Sequence, residues 1–214
     1  MPDGHILIAG YYGAGNVGDE AILAGILAEL RAAGAQASIC VLSRNPQATR
    51  SMHGVQALAW DDIPAVMEAV EAASLVLVGG GGLFQDYWGA QPAHMLTLRQ
   101  GGISEYGAPV VLAHLLGKPS MLYAVGVGPL SSEDGEQLTC RIFSLADAVS
   151  VRDHASLELL EGIGCRVDRA HVGPDPAFSA PAHPLSGAMK TLLEELPRPR
   201  IAVNLRYWDI GVDL

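Results

Sequence analysis

Apolar runs of strand length alternate along most of the chain with stretches whose apolar residues recur every three or four positions. Ile6-Leu7-Ile8-Ala9 is one such run. From Glu20 to Ala33 the residues Ile22, Leu23, Ile26, Leu27 and Leu30 then share one face of a 3.6-residue repeat. The same reading predicts strands near 6–11, 37–42, 75–79, 119–125, 148–151 and 167–171. It predicts helices near 19–33, 61–73, 104–116, 132–147 and 153–163. Val76-Leu77-Val78 and Met121-Leu122-Tyr123-Ala124-Val125 are apolar throughout, as strands covered on both faces are. The alternation predicts an α/β fold: a doubly wound, mostly parallel sheet with right-handed crossovers.

The pattern breaks after Asp175. Pro181, Pro184, Pro197 and Pro199 leave room only for a short helix near 186–195, after which Arg200 to Arg206 reads as a fresh strand. The expected organisation is one domain over 1–179, a linker over 180–199, and over 200–214 the first strand of a second domain cut short.

Glycine gathers where predicted strands end. Gly13, Gly15 and Gly18 occupy the turn from the first strand to the first helix, where backbone N–H groups can approach a ligand, and Asn16 and Asp19 stand at the helix start. Gly79-Gly80-Gly81-Gly82 follows the third predicted strand and leads into Gln85 and Asp86, and Gly126-Val127-Gly128-Pro129 follows the fourth. In open α/β sheets, ligands bind outside the carboxyl ends of the strands, so the convergence points to a binding crevice. The alternative for each cluster is a tight corner in which glycine only makes room. Arg152 ends another strand with Asp153 at a helix cap. It suits bidentate capture of a carboxylate or phosphate, or else pairs with aspartate to tie strand to helix. Asp175, held between Pro174 and Pro176, either serves the site or fixes the corner.

Composition narrows the classes. The formal charge of −10, from 13 basic and 23 acidic residues, argues against duplex nucleic acid as a partner. Cys40, Cys140 and Cys165 are far apart with no Cys-x-x-Cys pair, so neither a disulfide framework nor a cysteine zinc site is expected. The histidines show no ligand spacing, and no metal is expected. No Gly-x-Ser-x-Gly elbow supports a serine hydrolase. Gly13, Gly15 and Gly18 formally match Gly-x-Gly-x-x-Gly. The acidic residue that a dinucleotide needs at the end of the second strand is replaced by Leu42-Ser43-Arg44. With no signal-type leader and no run of eighteen apolar residues, a cytoplasmic protein without a transmembrane segment is expected.

Gly10-Tyr11-Tyr12-Gly13-Ala14-Gly15-Asn16-Val17-Gly18-Asp19-Glu20 resembles the opening signature of the polysaccharide pyruvyl transferases. Gly79 to Asp86, Ser150-Val151-Arg152-Asp153 and Asp175-Pro176-Ala177-Phe178 resemble its later landmarks, in the same order. The resemblance is closest to the bacterial enzymes that pyruvylate the cell-wall polymer anchoring S-layer proteins. It implies two Rossmann-like halves facing across a GT-B-like cleft, of which 1–179 is the first. It also implies phosphoenolpyruvate as donor substrate, no cofactor, and a saccharide acceptor. If that acceptor is lipid-linked, the protein works at the inner membrane face.

By this resemblance the substrate contacts are Gly13, Gly15, Asn16, Gly18, Asp19, Gly80, Gly81, Gly82, Gln85, Asp86, Arg152 and Arg206. The catalytic acid and base are expected in the second half, with Asp19, Asp86 and Arg152 the candidates in this one, which alone is expected to be inactive. A GT-B glycosyltransferase using a nucleotide sugar, and a non-catalytic sugar-phosphate-binding module, are the alternatives.

Overall fold

The computed structural model describes residues 4–97, 102–182, 184–201 and 203. Seven parallel strands form one sheet in the order β3-β2-β1-β4-β5-β6-β7. They are β1 (His5–Ala9), β2 (Ile39–Ser43), β3 (Gln56–Ala59), β4 (Ala73–Phe84), β5 (Ser120–Val127), β6 (Ala148–Val151) and β7 (Ala170–Val172). The helices between them are α1 (Val17–Ala32), α2 (Pro46–His53), α3 (Ile63–Ala72), α4 (Ile103–Leu115), α5 (Glu133–Leu145) and α6 (His154–Gly162). Short 3-10 turns lie at Pro92–Leu96 and Pro176–Ser179.

Period-two alternation divides the strand side chains between two cores. Ile6 and Ile8 of β1 and Leu77 of β4 pack with Ile22, Leu23, Ile26 and Leu27 of α1. Leu7 and Ala9, with Val76 and Val78, pack on the other face against Val70 of α3, Val110 of α4, Ile142 of α5 and Leu160 of α6. Both faces of the central strands are therefore buried, which is the condition for an all-parallel sheet. From β1 the chain winds outward to β2 and β3, then returns past β1 to begin β4. Strand order thus reverses between β1 and β4, and their carboxyl ends flank the crevice such folds use for ligands.

The predicted strands and helices are present with shifted ends, and two elements were missed. Helix α2 has eight residues and buries only Thr49, and β3 is the four-residue Gln-Ala-Leu-Ala, so neither offers a long apolar period. The four glycines do not follow a strand as expected; they lie inside β4, which continues to Phe84. The expectation of no disulfide is also corrected. Cys140 of α5 and Cys165, just beyond α6, are bonded, with Cα atoms 4.8 Å apart across 25 residues of sequence. The fold brings together what spacing kept apart, and Cys40 is the free, buried thiol.

The chain divides into compact units at 1–180 and 181–214. The second contains helix α7 (Gly187–Glu195), capped by Ser186, whose side chain accepts from the Met189 N–H. Arg206 and most of the strand expected from Arg200 lie outside the described residues.

Candidate functional site

The turn after β1 is fastened from inside. The Tyr12 ring is fully buried, and its hydroxyl donates to the Gly79 carbonyl of β4. Burial first, then the nearby Asp19, Glu20 and Asp175 carboxylates, push the Tyr12 phenol well above its ordinary range, so it stays a neutral donor. The Gly13 N–H donates to Glu20 Oε1 at 2.8 Å, and Glu20 Oε2 lies 2.8 Å from His53 Nε2. Asn16 caps α1 by accepting from the Gly18 N–H at 3.0 Å. Two of the amides expected to face a ligand, those of Gly13 and Gly18, are thus engaged within the protein. Gly15 remains open, and a Cβ there would meet nothing within 4 Å.

The glycines of β4 make room for the first turn of α1. Gly80 has φ +69°, and a Cβ on it would lie 1.9 Å from Ile22 Cγ2. Only glycine permits both this backbone and this approach. A Cβ on Gly81 would lie 3.0 Å from Asp19 Oδ1. One on Gly82 would lie 3.8 Å from Arg152 Nη2 and 3.9 Å from Gln85 Oε1. Asp19 thus lies beside Gly81, and Gln85 and Arg152 beside Gly82, at the carboxyl end of β4.

Asp86 points elsewhere. Its carboxylate accepts from the N–H and Oγ of both Ser131 and Ser132, at 2.7 to 3.0 Å, and so fastens the start of α5. Burial alone would raise its pKa, but the bonds from Ser132 and Ser131 prevail and hold the carboxyl below its usual range.

Arg152 lies across Gly126, where a Cβ would come within 2.8 Å of Nε and 3.0 Å of Cζ. Its Nη1 is 3.3 Å from Asp175 Oδ2 and its Nε 3.5 Å from Asp153 Oδ2, with about a third of the side chain exposed (35%). Both aspartates also cap: Asp153 accepts from the Ser156 N–H at 2.7 Å and Asp175 from the Ala177 N–H at 2.9 Å. The pairing of Arg152 with Asp153 is present, and Asp175 joins it. Arg152 ties β6 to its neighbours, and its Nη2 side borders Gly82. The Arg152 guanidinium thus lies between the Asp153 and Asp175 carboxylates.

Glu20 and His53 escaped the sequence reading, as did Arg44, whose Nη2 lies 2.8 and 2.7 Å from the two carboxylate oxygens of Glu105 on α4. No local spacing links these partners. The pair Ser131-Ser132 ahead of Glu133 did carry a signal, that of a helix N-cap. An open cavity of about 600 Å³ runs along β5, β6 and β7 beside Met121, Tyr123, Val149 and His171. Asp19, Gly81, Gly82, Gln85 and Arg152 do not line it, so it is separate from the crevice.

The sequence model of the polysaccharide pyruvyl transferase family matches residues 16–211, a span that contains the crevice residues. The chain belongs to this family. It is also similar to the amylovoran biosynthesis protein AmsJ of Erwinia amylovora, with 27% identity over 220 residues, covering 84% of this chain and 52% of AmsJ. The chain thus spans about half the length of that relative. No solved structure matches it. In this polysaccharide pyruvyl transferase sequence, no helix among the described residues is long and apolar enough to cross a membrane.

Proposed function

We propose that this chain carries the donor-binding crevice of an enzyme that moves a pyruvyl group from phosphoenolpyruvate to a saccharide, as a ketal. The observation that supports it most is Arg152: a partly exposed guanidinium whose Nη2 borders the glycine-rich end of β4, in a chain from the pyruvyl transferase family. The donor carries a carboxylate and a phosphate, and a planar guanidinium binds either through two N–H groups. To do so, Arg152 exchanges its long contact with Asp175 for the ligand.

In the proposed chemistry, an acid protonates the methylene carbon of the enol phosphate, and positive charge develops at the carbon bearing oxygen. One sugar hydroxyl adds there and gives up its proton. The carbon–oxygen bond to phosphate breaks, and a second hydroxyl closes the ketal. Arg152 holds the donor anion, while Asp19 and Gln85 accept from or donate to sugar hydroxyls. The acid and base are assigned to residues beyond those described. The acceptor is a saccharide of a cell-surface polysaccharide or its lipid-linked precursor, and the S-layer-anchoring polymer is one of this class. Because the chain spans half of AmsJ, the isolated 214 residues are expected to bind donor without completing transfer.

Calorimetric titration with phosphoenolpyruvate tests the reading. Binding is expected, with Arg152→Ala abolishing it and leaving the thermal midpoint close to that of the parent protein. Binding of a uridine or guanosine diphosphate sugar in its place would instead favour the glycosyltransferase reading.

A further inference from the structure

Ala124 stands where a glycine normally would. It is 2% exposed and has φ +48°, which makes it the non-glycine residue with positive φ among the described residues. Its position in the sheet explains the conformation. Between β5 and β6, Leu122 is level with Val149 and Val125 with Val151, so Tyr123 and Ala124 together oppose the single residue Ser150. This is a β-bulge, a rare feature in a parallel pair, with its left-handed residue at Ala124. Gly80 of β4, itself at φ +69°, stands on the other side, between the pairs Gly79–Tyr123 and Gly81–Val125.

A bulged residue loses its place in the hydrogen-bond ladder, and a buried N–H without an acceptor is strongly unfavourable. Here Ser150 Oγ accepts the Ala124 N–H at 2.8 Å. Immediately beyond the bulge, the Arg152 N–H donates to the Val125 carbonyl at 3.2 Å and the guanidinium settles on Gly126. The extra residue in β5 therefore decides which residue of β5 lies beside Arg152. Without it, β6 would advance by one residue against β5, and Arg152 would no longer rest on Gly126.

We propose that Ser150 is a positioning residue for Arg152: by accepting the Ala124 N–H it holds a left-handed bulge that sets the register of the arginine over the crevice. The inference rests on the reading of that crevice as the donor site, and it extends the reading to a residue that touches neither substrate. Left-handed alanine is unfavourable unless its surroundings over-determine it, and such outliers gather beside functional sites. The Ser150 hydroxyl is the surrounding group that does so.

The test compares the parent protein with Ser150→Thr, Ser150→Ala and the double variant Ser150→Ala/Ala124→Gly. Three quantities are read: amide exchange at Ala124, the Arg152 Nε–H resonance, and the dissociation constant for phosphoenolpyruvate. Threonine keeps the acceptor and should match the parent. Ser150→Ala should lose about tenfold in Ala124 protection, shift the Arg152 resonance and weaken donor binding about tenfold. The double variant should recover part of the resonance shift and of the binding, because glycine takes the left-handed conformation without help while its N–H still lacks the Ser150 acceptor. It also answers the question if Ser150→Ala alone folds poorly. An unmoved Arg152 resonance in Ser150→Ala, or a folded double variant without recovery, would overturn the proposal. If the parent protein binds no phosphoenolpyruvate, the donor reading falls, while the Arg152 resonance still decides the role of Ser150.

Discussion

Asp86 is fastened to Ser132 twice over, its Oδ2 accepting from the Ser132 N–H and from the Ser132 Oγ, each at 2.7 Å. The acidic residue that ends the glycine-rich segment therefore holds the start of α5.

Replacing it should be felt as lost stability. Asp86→Asn removes the charge from four hydrogen bonds and replaces one acceptor oxygen by an amide NH2 against the Ser131 hydroxyl, at a cost of about 1–3 kcal/mol. The folded carboxyl titrates below its unfolded value, so its contribution is present above the unfolded pKa of roughly 4 and is lost as pH falls through the folded value. Urea unfolding of both proteins between pH 7 and pH 2.5 should show the gap closing at the acid end. A gap that stays constant over that range would contradict the assignment.

Removing a competitor should strengthen donor capture. Asp175→Asn keeps an oxygen for the Ala177 N–H but withdraws a negative charge from 3.3 Å beside Arg152. The pair is partly exposed, so the gain in phosphoenolpyruvate affinity should be modest, about two- to fivefold. Weaker binding by the variant would show that Asp175 orients the guanidinium more than it competes for it.

A methyl group at Gly80 attacks the fold at its centre. In Gly80→Ala the Cβ meets Ile22 Cγ2 at 1.9 Å, at φ +69°. Left-handed alanine costs about 1–2 kcal/mol and overpacking about 1–3 more. Chemical denaturation should show a loss in that range, and a near-neutral effect would mean that β4 and α1 yield easily.

The Cys140–Cys165 bond closes a loop of 25 residues. The chain-entropy estimate for such a loop is about 3.5 kcal/mol. Cys165→Ser without reductant and the parent protein with reductant should both unfold earlier, to the same extent. Equal stability in all three samples would show that the bridge does not form in solution.

Much of the fold was legible because its cues are local. Ile6 to Ala9 and the spacing of Ile22, Leu23, Ile26 and Leu27 lie within one stretch of chain, and the burial of each follows from its own period. Gly81, Gly82, Gln85 and Arg152 could be picked out one at a time from strand-end positions. What sets Arg152 beside Gly82, the order of the strands in the sheet, belongs to no single segment. The bulge was invisible because Tyr123-Ala124-Val125 reads as an ordinary strand, and its conformation is set by Ser150, 26 residues away. Asp86 was read as a ligand contact for the same reason: the four groups that saturate it arrive from a loop 45 and 46 residues later.

Because all seven strands run the same way, the crevice lies at one rim of the sheet, and the loops entering the strands lie at the other. Gly34 and Gly117 sit on that far rim, just before β2 and β5, and although a side chain at either would meet nothing within 4 Å, φ of +78° and +64° favours insertion beside the glycine over its replacement. An affinity tag or a fluorophore grafted there would ride the full length of the strands away from Arg152, which makes these two corners the natural handles for immobilising the protein with its crevice facing free solution.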